Sequence, residues 1–208
     1  MRTALTRLFD EYPDLTPCQS SVEAAAELLL KTFQTGHMLL VAGNGGSASD
    51  ADHIVGELVK ACARPRPLSR LLVERLNAMG LGTVAQRLQR GLPTIALASH
   101  ASLSTAIIND QGADLMFAQQ VIGYGKPGDT LWALSTSGNS TNIVVALQVA
   151  RALEMQTVGL TGDPGGRMSA YCDVLVRVPY TSTQTIQERH LPIYHALCLY
   201  IEEVMYGI

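Results

Sequence analysis

The chain has 208 residues, with 15 lysines and arginines against 18 aspartates and glutamates and a formal net charge of −3 at pH 7. That balance offers a polyanion no basic surface, which argues against nucleic-acid binding, and no apolar run approaches the ~20 residues of a membrane span. Hydrophobic residues are 47% and charged ones 16% of the sequence, apolar enough to predict a homo-oligomer that covers part of the surface.

Residues 2–11 read as a weakly helical N-terminal arm that ends before Pro13. Thr16-Pro17 has the form of an N-cap followed by proline at the first helical position, opening a helix to Gln34 with Gly36 as its C′ residue. Met38 to Ala42 reads as a buried strand, and a helix begins near Ser47 and runs to about Cys62. The stretch 61–91 opens with the extended run Arg64-Pro65-Arg66-Pro67. Helical periodicity follows over Leu68 to Met79, stopped by Gly80, and over Thr83 to Leu88, stopped by Gly91, so 61–91 reads as an inserted helical hairpin. Strand Thr94 to Ala98 comes next, then helices about Ser102 to Asn109 and Leu115 to Tyr124, a turn at 126–129, and strand Thr130 to Leu134. The loop 135–140 opens a helix to about Leu153; strand Thr157 to Leu160, a turn at 162–166, a short helix, strand Val174 to Val178 and a last helix from about Thr185 to Met205 complete the chain. Strands alternating with helices predict an α/β fold, a parallel sheet covered on both faces with ligands at the strands' carboxyl ends. The length fits one domain.

Two glycine- and hydroxyl-rich turns, 43–48 and 135–140, each follow a strand and open a helix. Glycines let a ligand approach the backbone and the first-turn N–H groups point at it, which suits a phosphate. No Gly-Lys-Ser/Thr follows either turn, so a nucleotide P-loop is not indicated. Gly43-Asn44-Gly45-Gly46-Ser47-Ala48 formally matches G-x-G-x-x-A, but the acidic residue that a dinucleotide needs at the end of the next strand is replaced by Ser99-His100 some fifty residues on. No nucleotide cofactor is expected. His53 and Glu57, four apart, share one helix face, and Gln187 and His195, eight apart, lie roughly 80° from each other around an ideal helix, with Pro192 between them as an expected kink. Histidine, carboxylate and amide oxygen from two helices could hold a divalent metal, for which zinc is the candidate. Each pair by itself also has a plain reading, as a surface salt link or as core and surface. Asn109-Asp110 and His100 read as helix capping and a solvated histidine, or as site residues at the sheet's mouth; His37 and His190 read as structural, and Cys62 as packing. Cys18, Cys62, Cys172 and Cys198 show neither CxxC pairs nor the dense spacing of a secreted framework, and no secretory leader is read, so a cytoplasmic setting is expected.

Gly-Asn-Gly-Gly-Ser at 43–47, His-x-x-x-Glu at 53–57, Asn-Asp at 109–110, Ser-Thr-Ser-Gly-Asn-Ser at 135–140, Leu-Thr-Gly-Asp-x-Gly-Gly at 160–166 and Ile-Gln-Glu-x-His at 186–190 with His195 together resemble the phosphoheptose isomerases of the sugar isomerase (SIS) superfamily, over about residues 16–206. The resemblance implies a single SIS domain, a flavodoxin-like three-layer α-β-α sandwich with a five-stranded parallel sheet, and a homotetramer with sites at subunit interfaces. The implied reaction is conversion of sedoheptulose 7-phosphate to D-glycero-D-manno-heptose 7-phosphate through an enediol(ate). The substrate-binding positions it implies are Asn44, Gly45, Gly46, Asn109, Asp110, Ser135, Thr136, Ser137, Ser140 and Gln187; zinc would be held by His53, Glu57, Gln187 and His195. In that scheme Glu57 is the carbon base and His195 the proton partner of the sugar oxygens. A non-catalytic SIS module, related to the replication-initiator-associating protein and binding a sugar phosphate or docking on a protein, is the alternative. Two departures stand out: the segment between Lys60 and Pro93 is longer than in the better-known heptose isomerases and could lie over the cleft as a lid, its role not read from the sequence, while Ala61 and Gln184 stand where those enzymes carry arginine and aspartate.

Overall fold

The computed structural model describes residues 3–207; residues 1 and 2, the latter in the expected N-terminal arm, and residue 208 lie outside the described residues. Five strands, β1 Leu39–Gly43, β2 Thr94–Ala96, β3 Thr130–Leu134, β4 Gln156–Thr161 and β5 Val174–Arg177, form one all-parallel sheet in the order β2-β1-β3-β4-β5. The helices are α1 Ala4–Glu11, α2 Gln19–Gln34, α3 Gly46–Val59, α4 Arg70–Ala78, α5 Gly82–Ala85, α6 Ala101–Asp110, α7 Ala118–Tyr124, α8 Thr141–Ala152 and α9 Thr183–Tyr206. Every residue of β1 and β3 is buried, as strands covered on both faces must be. Alternation along them divides the core. Leu39, Val41, Trp132 and Leu134 join α2, α3 and α9 on one face, while Leu40, Ala42, Leu131 and Ala133 join α7 and α8 on the other. The three-layer α-β-α expectation therefore holds.

Strand order positions the site. The chain leaves β1 for β2 on one side and returns to β3 on the other, so the loops after β1 and β3 flank the crevice where this doubly wound order reverses. Among the described residues no helix is long and apolar enough to cross a membrane.

Several expected boundaries shift for identifiable reasons. Thr16 does not cap α2: Pro13–Cys18 forms 3₁₀ turns in which the Thr16 hydroxyl donates back to the Pro13 carbonyl at 2.7 Å, and α2 starts at Gln19. Gly36 does follow α2 in the left-handed region, at φ +79°. Helix α3 stops at Val59, because the Arg66 guanidinium takes the Leu58 and Glu57 carbonyls at 2.6 and 2.9 Å, satisfying groups a helix end leaves free. Strand β2, at the sheet edge, ends at Ala96 and turns into a 3₁₀ segment Leu97–Ser99. Despite Pro192, α9 is assigned as one unbroken helix. In the insertion, the Ser69 hydroxyl accepts the Leu72 N–H at the start of α4 and Gly80 adopts φ +75° after it, yet α4 contains no buried residue.

Candidate active site

The turn from β1 to α3 demands its glycines. A Cβ on Gly43 would collide with the Ser47 carbonyl, and Gly45 sits at φ +55°. Helix α3 opens without a side-chain cap, and the Ser47 and Ala48 N–H groups donate to the Asn44 and Gly45 carbonyls at 3.0 Å. The turn from β3 to α8 is built in the same manner. Gly138 holds φ +64° where a Cβ would strike the Gly165 carbonyl, Ser135 is buried with its Oγ 3.2 Å from Ser140 Oγ, and α8 too lacks a side-chain cap. Ser137 is exposed, its Oγ accepting the Asn139 N–H at 3.2 Å, and Thr136 is half-buried. Reciprocal amide bonds of 2.9 Å between Asn44 and Asn142 tie the two turns together.

The acid–base groups come from α3 and α9, which pack side by side and point the same way. His53 Nε2 lies 3.5 Å from Glu57 Oε1 and 3.4 Å from His195 Nε2. The Tyr194 hydroxyl touches His53 Nδ1 at 3.0 Å and Asp50 Oδ1 at 3.4 Å. Burial, and then the adjacent His53, lower the His195 pKa, which favours its neutral imidazole. Burial raises the Asp50 carboxyl, and burial with the Asp50 carboxylate pushes the Tyr194 phenol well above its usual range. A cavity of about 300 Å³ between α1 and α9 opens on His195, with Arg7, Glu11 and Tyr12 on its far wall.

Gln187 is at the other end of the helix pair. Its amide lies over Gly46, where a Cβ would strike it, seven residues and about 10 Å of helix rise before His53. As the side chains stand, no group of three or more His, Cys, Asp or Glu among the described residues encloses a metal position. Asn109 and Asp110 are exposed at the end of α6, Asn109 Nδ2 donating to Asp110 Oδ1 at 2.7 Å. The structure therefore brings His53, Glu57 and His195 together and lines up Asn44, Gly45, Gly46, Ser135 and Ser140 at the switch point. It gives Asn109 and Asp110 no bond to either group.

Residues 68–162 match the SIS domain family. A phosphoheptose isomerase of Trichlorobacter lovleyi is 41% identical over 187 residues, 90% of this chain and 84% of that protein. The chain belongs to the phosphoheptose isomerase family. Solved phosphoheptose isomerases agree: that of Neisseria gonorrhoeae is 32% identical, with a TM-score of 0.70 over 95% of this chain and 97% of its own. That of Francisella tularensis is 28% identical, with a TM-score of 0.74 over 97% and 100%. Family membership makes the chain an isomerase with the SIS fold.

Three residues around this family's site carried no functional signal in the sequence. Tyr194 and Asp50 were not singled out, because their partnership joins two helices 144 residues apart. Asn142, in the first turn of α8, continues the polar run Ser-Gly-Asn-Ser-Thr-Asn at 137–142, and that position was the one legible clue. His190 is 0% exposed on the face of α9 toward the sheet and is structural, as expected; the Cys62 thiol, pushed up to about 12 by burial and then by the Glu57 carboxylate, is no nucleophile.

Proposed function

We propose that this isomerase interconverts sedoheptulose 7-phosphate and D-glycero-D-manno-heptose 7-phosphate. The observation that carries the reading is that His53 Nε2 lies 3.5 Å from Glu57 Oε1 and 3.4 Å from His195 Nε2, about 10 Å along α3 from a glycine cradle. Uncapped N-termini of α3 and α8 suit the phosphate, with the Ser135, Thr136, Ser137 and Ser140 hydroxyls, Asn44 and the backbone of Gly45 and Gly46 as donors. The sugar's far end then reaches the carboxylate. Glu57 takes the proton from C1 of the ketose, electrons from that C–H bond form the C1=C2 double bond, and the C2 carbonyl oxygen becomes the enediolate oxygen. Glu57 returns the proton to C2 while a proton passes from O1 to O2, leaving the aldehyde at C1. Neutral His195 donates to and accepts from those oxygens, and Gln187, Asn109 and Asp110 are assigned to the sugar hydroxyls.

Zinc is the ion that His53, Glu57, His195 and the Gln187 amide oxygen would hold. His53 Nε2 lies 3.4 Å from His195 Nε2 and 3.5 Å from Glu57 Oε1, close enough for the three to share one ion, while Gln187 would have to leave Gly46 to join them. A bound zinc would supply Lewis-acid stabilisation of the enediolate oxygens. A homotetramer in the cytoplasm is the proposed assembly; it is supported by the apolar side chains Leu71, Leu72, Met79, Val84 and Leu88, all exposed on the insertion. The same exposure speaks for the insertion as a subunit contact rather than a lid.

Glu57→Gln tests the reading. In deuterated water with sedoheptulose 7-phosphate, the parent should exchange a carbon-bound hydrogen and form the aldose; the variant should lose both by at least ~100-fold with an unchanged melting temperature. Full exchange in Glu57→Gln would remove Glu57 as the base. Thermal stabilisation by the sugar without exchange in the parent would instead indicate the non-catalytic binding module.

A further inference from the structure

Two groups that the isomerase scheme does not use meet at His53. The Tyr194 side chain is 1% exposed, its ring edge-on to His53 with centroids 5.5 Å apart and to His195 with centroids 5.0 Å apart. Its hydroxyl stands between His53 Nδ1 at 3.0 Å and Asp50 Oδ1 at 3.4 Å. A tyrosine has one proton to give, and an ionised carboxylate can only accept. The hydroxyl therefore donates to Asp50, and its oxygen accepts from His53 Nδ1–H. A neutral imidazole protonated on Nδ1 carries its lone pair on Nε2. That nitrogen is the atom facing His195 Nε2 at 3.4 Å and Glu57 Oε1 at 3.5 Å.

We infer that Asp50 and Tyr194 are positioning residues that hold His53 in the Nδ1–H tautomer, so that Nε2 is an open acceptor in the centre of the acid–base cluster. The consequence is directional. The His53 lone pair then faces the Glu57 carboxylate, two acceptors 3.5 Å apart, with His195 Nε2 at 3.4 Å, a gap that only a proton or a cation can bridge. The opposite tautomer would put an N–H in that gap and tie Glu57 to His53, taking the base away from carbon. Sequence spacing supports the device: Asp50 and His53 are three apart on α3, Tyr194 and His195 are adjacent on α9, and the parallel packing of the helices brings these pairs level. Asp50 Oδ2, also buried, has no hydrogen-bond partner among the described residues, which leaves the Tyr194 hydroxyl as the donor this carboxylate has there.

The inference depends on the isomerase reading for its catalytic consequence alone; the tautomer is measured without substrate. Protein with ¹⁵N-labelled histidine, stripped of divalent metal by a chelator so that no ion fixes the ring, is compared as parent, Tyr194→Phe, Asp50→Asn and Asp50→Leu by two-bond ¹H–¹⁵N correlation above the ~6.5 of an ordinary imidazole, with His53→Gln assigning the signal. The parent should show His53 protonated on Nδ1 alone. Tyr194→Phe keeps the ring contacts and should populate the Nε2–H form, with kcat falling ~10–100-fold and KM within twofold. Asp50→Asn still offers an oxygen to Tyr194 and should keep the tautomer; Asp50→Leu should lose it. An unchanged His53 tautomer in both Tyr194→Phe and Asp50→Leu overturns the inference, as does a fall in kcat with the tautomer intact. A parent with the expected tautomer but no isomerisation would defeat the proposed function and leave this inference standing.

Discussion

Removing Arg66 should destabilise the protein more than any exposed change. The side chain is 0% exposed, and its Nε donates to Glu202 Oε1 at 2.7 Å while its other nitrogens hold the Leu58 and Glu57 carbonyls. Glu202, also 0% exposed, accepts the N–H groups of Cys62, Ala63 and Arg64 at 2.9, 2.9 and 3.0 Å. Arg66→Met keeps the stem but strands a buried carboxylate and leaves two helix-end carbonyls unpaired. Breaking one partner of a buried pair costs ~3–5 kcal/mol, a large share of the ~5–15 kcal/mol that holds a native protein together. At ~2–4 °C per kcal/mol for a chain of this size, Tm should fall by ~6–20 °C. Burial alone would raise the Glu202 pKa, but the Ala63 and Cys62 amides and the Arg66 guanidinium outweigh it and hold the carboxyl below its usual range. Its contribution is therefore complete above the unfolded value of ~4.3 and is lost as pH falls through the lower folded value, so Arg66→Met should also flatten the acid limb. Calorimetry and urea unfolding of Arg66→Met, Glu202→Leu and the double variant measure this. The double variant should be more stable than the sum of the two losses predicts by at least ~2 kcal/mol, since it strands no charge. A Tm within ~2 °C of the parent, or simple additivity, would show that the pair does not anchor this region.

His190 gives a second pH signature: burial lowers its pKa to about 4, outweighing a backbone hydrogen bond with Thr161 that favours the proton. The unfolded chain binds that proton more readily, so stability should be complete above ~6.5 and decline by up to ~3 kcal/mol as pH falls toward 4; unfolding at several pH values should show this slope in the parent and not in His190→Leu. Asn142→Ala breaks the amide pair that holds Asn44 across the two turns. Stability should change by no more than ~1 kcal/mol, while steady-state kinetics should show KM several-fold higher at nearly constant kcat; an unchanged KM would mean the bridge does not shape the phosphate site.

Local signals carried most of this fold. β1 and β3 are uninterrupted apolar runs because both faces are covered, and each glycine turn announces the helix it opens. The two glycine turns were readable for the same reason: each is contiguous in sequence. What failed to show was whatever depends on a distant partner. Arg66 sits in a run, Arg64-Pro65-Arg66-Pro67, with the composition of a solvated linker, and the Leu58 and Glu57 carbonyls with Glu202, 136 residues away, make it a buried anchor. Thr16 had the composition of a cap but found the Pro13 carbonyl first. Asn109 and Asp110 had two readings by position, cap or site at the sheet's mouth, and they bond to each other and not to the cluster.

The register of α3 against α9 explains why this site tolerates a long insertion beside it. Four independent contacts, Gly46 with Gln187, Asp50 with Tyr194, His53 with His195, and Cys62 with Glu202, have nearly the same offset in sequence, as two helices running in parallel at equal rise require. Ala51, Ile54 and Leu58 on α3 and Ile193, Leu197 and Ile201 on α9 share the buried core that fixes it. A slip of one turn, ~5.4 Å, would carry His195 past His53 and leave Glu57 without a neighbour. The hairpin could transmit such a slip, since it hangs from the end of α3. It does not, because Arg66 fastens its root to the last carbonyls of α3 and to Glu202 of α9 together, and the chain closes behind that fastening where Arg90 N–H donates to the Arg66 carbonyl at 2.8 Å.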